Sequence, residues 1–403
     1  MRSLDGLRGL AALMVLMHHA LLVSAPQLAN PYAGLPQSSG TVTWLLTYTP
    51  LHLLWGGPEA VVVFFVLSGF VLTLPVARGG RLRIGSYYPS RFLRLYLPVW
   101  GALALAAALH VAVSHEFVPD ASWWLNGHSP ALHAHAGLLD ATLFPGAGDW
   151  GFTTVVWSLR WEVLFSLLLP LLLLAPLRRH AWSLGAALLC FVALLRAGGA
   201  LGGTPAAPGS GGSGALLGSS SGEYLLELPP FVLGSLLAFR YELIERLAAS
   251  LRERTARNIV VQLAVGAVCV GCLSANWWLP GAENQALLVA LGACLAVLAA
   301  LTLRTFRGFL ESAPMQWTGK RSYSLYLVHE PLVVALAFAL GGRPSPVLFV
   351  VLAAPLALSA AAAFFACVES PSHRLARAWV GYRERSRRDA LVTAEAGVAE
   401  GSA

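Results

Sequence analysis

Ten apolar runs, each long enough to cross about 30 Å of hydrocarbon, constrain this chain more than any other feature. They fall near 7–24, 58–77, 95–114, 153–175, 181–199, 224–241, 258–279, 283–304, 323–342 and 345–368. A backbone in lipid must satisfy its own polar groups, so runs of this length read as helices. The connections between them are sorted by charge. Of 27 lysines and arginines, 24 lie in alternate connections or toward the two ends, with Arg160, Arg196 and Arg343 elsewhere. Basic residues accumulate on the cytoplasmic side, and an odd number of spans would destroy this sorting. The expected fold is all-α: a polytopic transmembrane helix bundle of about ten spans, multi-pass in the inner (cytoplasmic) membrane, with both termini cytoplasmic.

Composition enters only to close off other classes. Charged residues make up 12% of the chain, against about 25% in soluble proteins. The net charge of +7 sits in short loops, so it reads as a topology signal, and nucleic acid is not expected as a partner. Five cysteines (Cys190, Cys269, Cys272, Cys294, Cys367) fall inside apolar runs, which suits small buried hydrophobes and not a disulfide framework. Residues 1–371 are read as the membrane domain. Residues 202–222 read as a flexible external linker, and 372–403 as a polar cytoplasmic tail, disordered beyond Asp389.

Polar residues inside the runs are few, and intramembrane charge is costly enough to mark function. The first run carries Asp5, Arg8, His18 and His19. Eleven residues separate Arg8 from His19, which on a helix returns to within about 20° of the same face and about 16 Å further along. His18 points about 100° away, so the two histidines cannot share one role. Asp5 lies three residues before Arg8, within reach of it. A positive-inside anchor with two interfacial histidines would account for the same residues.

Further along, Arg91 and Arg94 precede the third run at a spacing that presents two guanidinium forks together, suited to phosphate. Simple anchoring would also explain them. Glu162 enters the fourth run, where a buried carboxylate needs a partner or a proton. Ser322, Tyr326 and His329 line one face of the ninth run, too polar to meet lipid. The outer loops at 25–57 and 115–152 are rich in tryptophan and histidine. The tryptophans fit an interfacial belt or a sugar-stacking surface. The histidines fit no tight ligand set, and no metal is expected.

Seven stretches resemble the acyltransferase-3 family of integral-membrane acyltransferases, in the family's order. They are LDGLRGLAALMVLMHH at 4–19, FFVLSGFVLT at 64–73, RFLRLYLP at 91–98, WSLRWEVLFSLLLP at 157–170, LPPFVLGSLLA at 228–238, YSLYLVHEP at 323–331 and VESP at 368–371. The family includes O-antigen and peptidoglycan O-acetylases and some antibiotic acyltransferases. The resemblance implies transfer of an acyl group, acetyl by expectation, from acyl-CoA as donor substrate to a hydroxyl of a glycan or secondary metabolite. No permanently bound cofactor is implied.

The implied roles are catalytic for His19, as general base, and for Glu162, which would orient His19 or bind the acceptor. Arg91 and Arg94 would receive the donor's phosphates. Arg8, either holding the donor or fixed by Asp5, together with Ser68, Tyr326 and His329, would line the substrate cavity. Two departures stand out. Val62 and, further back, Glu59 replace an aspartate usual before the second block, and Phe165-Ser166 replaces an aromatic pair. The second reads as a packing variation, and neither is expected to touch Arg8, His19, Arg91, Arg94 or Glu162. A transporter or flippase is the alternative, but it predicts matching halves with interrupted spans, and the chain has no matching halves.

Overall fold

The computed structural model describes residues 1–35, 37–80, 82–128, 134–143, 153–173, 228–252, 255–279 and 285–401. Among them are helices and no strand. The principal helices are α1 (Arg2–Ser24), α2 (Gly57–Ala77), α3 (Ile84–Ala112), α4 (Val156–Leu172), α5 (Leu228–Phe239) and α6 (Tyr241–Arg252). They continue with α7 (Thr255–Leu273), α8 (Gln285–Thr302), α9 (Ala313–Lys320), α10 (Ser322–Ala339), α11 (Pro346–Phe364) and α12 (Ser370–Gly401).

Six described stretches are long and apolar enough to span a membrane: α1, α2, α3, α8, α10 and the continuous Pro346–Ser386. The runs read at 153–175, 224–241 and 258–279 give the helices α4, α5 and α7. The run at 181–199 and the stretch at 202–222 lie outside the described residues. Cys269, Cys272, Cys294 and Cys367 are free thiols, as their apolar surroundings require.

The bundle is arranged around α1. It packs against α2, α8, α9, α10 and α11, and buried residues run all round it, from Leu4, Leu7 and Ala11 to Val15, Ala20 and Val23. A helix apolar on every side belongs in the middle of a large assembly. The lipid-like periphery is elsewhere: α11 exposes Val347, Leu348 and Val351.

Close crossings supply what burial cannot in hydrocarbon, where packing and not water drives helix association. Where α2 meets α5, a Cβ on Gly69 would lie 2.0 Å from the Phe231 carbonyl oxygen, and one on Gly234 2.0 Å from that of Val66. The two glycines let each backbone touch the other. Gly234→Ala must therefore push the helices apart, at about 1–3 kcal/mol for overpacking. The expected result is a severalfold lower yield of monodisperse protein in detergent; a wild-type yield and melting point would show that the helices part freely.

Two boundaries differ from the hydropathy reading. Helix α3 starts at Ile84, well before its apolar run, and so carries Arg91 and Arg94 on helical turns. The stretch read as a tail is helical through Gly401. A π turn at Phe365–Glu369 leads straight into α12, which continues as helix through Gly401. The alanine, glutamate and arginine of this stretch are strong helix formers, and composition alone had weighed only their polarity.

Candidate active site

The central polar contact joins α1 to α10. His19 Nδ1 lies 2.9 Å from His329 Nε2 and 3.2 Å from the Val15 carbonyl oxygen. The other nitrogen of His329, Nδ1, faces the Leu325 carbonyl at 3.0 Å. A carbonyl only accepts, so in the neutral ring His329 Nδ1 carries the proton and Nε2 the lone pair. His19 Nδ1–H then donates to that lone pair and to Val15, which leaves His19 Nε2 as the free base. Here one histidine orients the other, the part a carboxylate takes in many dyads.

Beside this pair is a carboxylate that sequence reasoning passed over. Glu330 is 1% exposed and accepts four hydrogen bonds: from the Thr153 hydroxyl at 2.7 Å, the Thr154 and Val155 amides at 2.9 Å, and His128 Nε2 at 3.0 Å. The two amides lie at the start of α4, where helix N–H groups lack internal partners and favour negative charge. Glu330 thus caps α4 from α10 and ties both to the loop bearing His128. That loop covers His19. Trp124, on a short helix at Trp123–Asn126, has its ring 5.2 Å from His19 and 4.3 Å from His128. The signal was present as a carboxylate inside an apolar run, next to the histidine already singled out.

Toward the end of the bundle that holds Met1, a narrow cleft is lined by Arg8, Phe64, Ser68, Ser158, Glu162, Ser322, Tyr323 and Tyr326. Five residues singled out in the sequence therefore meet in one place: Arg8, Ser68, Glu162, Ser322 and Tyr326. Tyr326 connects the cleft to the histidines, its hydroxyl 2.6 Å from Ser158 Oγ and its ring 5.9 Å from that of His329.

Other expected partnerships change. Asp5 is exposed, and among the described residues no ion pair joins it to Arg8; the guanidinium turns into the cleft, while Asp5 keeps its hydration. Glu162 pairs with Arg91 Nη2 at 3.2 Å, and the ring partner of His19 is His329. Arg91 also donates to Ser166 Oγ, from Nη2 at 2.7 Å and Nε at 3.2 Å. Ser166 is the position where the resemblance leads one to expect an aromatic ring. It is not a packing variation, since its hydroxyl holds Arg91. The two arginines differ in their partners: Arg91 turns to Glu162 and Ser166 of α4, while the charged neighbours of Arg94 are Arg91, Arg377, Arg8 and Glu369.

His18 and His19 do serve different faces. His18 is buried, bonded through Nδ1 to the Trp55 carbonyl at 3.0 Å and stacked on the Trp55 ring. It anchors the loop at 25–57. In that loop His52 stacks on Trp277 at 4.1 Å and approaches Glu59 at 3.7 Å. Burial, with His18 nearby, holds the His52 imidazole well below its ordinary pKa, so the ring stays neutral. Glu59, the other departure, also accepts from Trp277 Nε1 at 2.9 Å and packs this loop. Of the remaining loop histidines, His115 stacks on His110, and His133 lies outside the described residues.

The family model described as an acyltransferase domain matches residues 1–366. Acyltransferase MdmB of Streptomyces mycarofaciens is 29% identical over 195 residues, covering 47% of this chain and 45% of that protein. The match therefore spans less than half of that relative's length. No solved structure matches.

Proposed function

Because this chain belongs to the acyltransferase family whose model covers residues 1–366, we propose that it is a membrane O-acyltransferase. It moves an acyl group, acetyl in our reading, from acyl-CoA to a hydroxyl of a glycan or secondary metabolite. The observation that carries this reading is the hydrogen-bonded line from the Leu325 carbonyl through His329 to His19, which presents His19 Nε2 as a neutral base.

In this mechanism the acceptor oxygen attacks the thioester carbonyl while His19 Nε2 takes its proton. The tetrahedral intermediate collapses, the carbon–sulfur bond breaks, and the departing sulfur takes the proton from His19, which releases the free thiol and restores the neutral base. His329 keeps the base in one tautomer and one orientation through both steps. The thioester reaches it through the cleft of Arg8, Ser68, Ser158 and Tyr326, and Arg8 meets the phosphate or pantetheine end. Glu162 acts through Arg91, whose fork it fixes.

We assign the Met1 end to the cytoplasm, where acyl-CoA is made, and the loops at 25–57 and 115–152 to the outer side. Ten spans of an inner membrane protein with both termini cytoplasmic remain our reading of the basic-residue pattern. Reporters fused at residues 250 and 212 should then report cytoplasmic and external locations; both on one side would sink the span count between them.

The activity itself is tested with purified protein in nanodiscs, acetyl-CoA, and a panel of hydroxyl acceptors. Thiol release that requires an acceptor, and an acetyl ester recovered on that acceptor, are the expected results. Acceptor passage across the membrane with the thioester intact would favour a transporter instead.

A further inference from the structure

Helix α12 was read from sequence as a tail, yet it lies along α3. Near the start of α3, Arg83 Nη1 is 2.8 Å from Glu384 Oε1. At the other end of this contact Glu369, His373 and Arg377 recur every fourth residue, and so share one face. Glu369 is buried and accepts from the Ser324 amide at 3.0 Å and from the Ser324 hydroxyl. Its second oxygen is 4.0 Å from His373 Nε2. Arg94 arrives from α3 and Arg8 from α1. The charges close enough to act on Arg94 include Arg91, Arg377, Arg8 and Glu369; those acting on His373 are Arg94, Arg377 and Arg8.

The balance is uneven. Arg91 is already paired with Glu162, which leaves Arg8, Arg94 and Arg377 as the basic neighbours of His373, with Glu369 the carboxylate beside it. Arg94 Nε is also buried with no hydrogen-bond partner. Like charges gathered at a half-buried site are costly unless an anion joins them. We propose that this cluster binds the phosphate groups of a nucleotide, and that Arg377 and His373 of α12 are part of that site. The inference rests on the acyl-CoA reading and extends it: the helix after the last apolar run closes over the donor's phosphate end.

A lipid headgroup offers the same phosphate chemistry. The nucleotide is favoured because Arg8 belongs both to this cluster and to the cleft leading toward Tyr326 and His329. A ligand with phosphates at one end and a long arm at the other fits both.

The probe is adenosine 3′,5′-bisphosphate, which has nucleotide phosphates and no thioester. Its affinity is measured by titration calorimetry on the full chain in zwitterionic nanodiscs, for wild type, Arg377→Gln, His373→Gln and Arg385→Gln. Arg377 is exposed, so its variant should fold, and the ligand-free melting point checks that it does. Arg377→Gln is expected to weaken binding about tenfold, as for one charged hydrogen bond, and His373→Gln severalfold. Arg385→Gln, exposed and two turns further along α12, should change it less than twofold.

Equal affinity in wild type and Arg377→Gln would overturn the proposal while leaving the acyl-CoA reading intact. Absence of binding by both the bisphosphate and acetyl-CoA in wild type would overturn the two together. If Arg377→Gln leaves bisphosphate binding alone but abolishes stabilisation by phosphatidylglycerol nanodiscs, the site belongs to a lipid and the nucleotide assignment fails.

Discussion

His19→Ala is expected to lower acyl transfer by about 10²–10⁴-fold, the usual worth of a positioned acid–base group, with α1 still inserted and the bundle still folded. The ring is half-buried, and its polar contacts are His329 and the Val15 carbonyl, so its removal orphans little. His18→Ala should act differently. It deletes the stack on Trp55 and the bond to the Trp55 carbonyl, so it should cost stability and keep most of the rate per folded molecule.

His329 is a positioning residue in this scheme, because it acts through His19. His329→Ala should reduce kcat by at least tenfold with little change in the donor KM. His329→Gln, whose amide oxygen can still accept from His19 Nδ1–H, should recover part of the loss. Rates are to be compared at equal amounts of folded protein. Equal losses in the His18 and His19 variants, or no difference between alanine and glutamine at 329, would remove these assignments.

Glu330→Ala should be the most destabilising single change among the residues discussed. It would leave the Thr153 hydroxyl, two amides at the start of α4 and one His128 nitrogen facing an empty buried space. Breaking such a carboxylate's pairing costs about 3–5 kcal/mol, a large share of a typical folding free energy of about 5–15 kcal/mol. The expected outcome is a sharp loss of monodisperse protein and a melting temperature lowered by many degrees in detergent. Glu330→Gln keeps one accepting oxygen but turns an NH₂ toward other donors, and should fall between. A variant that melts like the wild type while losing turnover would show that Glu330 serves the chemistry directly and does not hold α4 and the loop bearing His128.

Helix period decided more than neighbours did. The eleven-residue spacing in α1 separated His19 from His18, and the structure sends them to His329 and to Trp55 respectively. The stripe through Ser322, Tyr326 and His329 also turned inward as its polarity requires. What period cannot supply is the partner on another helix. Arg91 and Glu162 lie 71 residues apart, and nothing in either segment names the other. Asp5 and Arg8 are close in sequence and were expected to pair, but their side chains leave α1 toward different surroundings. Ser166 reads as a loss of aromatic packing because the resemblance compares residue types, not the hydroxyl that the Arg91 guanidinium uses. Glu330 was passed over for a simpler reason: its donors come from residues 128 and 153–155, in a loop with no periodicity to read.

The histidine pair also sets an order of events during synthesis. His19 and His329 are 310 residues apart in the chain, so α1 leaves the ribosome long before its partner exists. Until α9, α10 and α11 arrive, the helix at the centre of the finished bundle has no protein on those sides. Its arginine and two histidines must then be met by water, by lipid headgroups or by the insertion machinery. Contacts this distant in sequence form late and slowly. A ribosome stalled anywhere before the ninth apolar run would therefore leave an inactive, poorly packed intermediate, open to quality-control proteolysis, and not a weak enzyme.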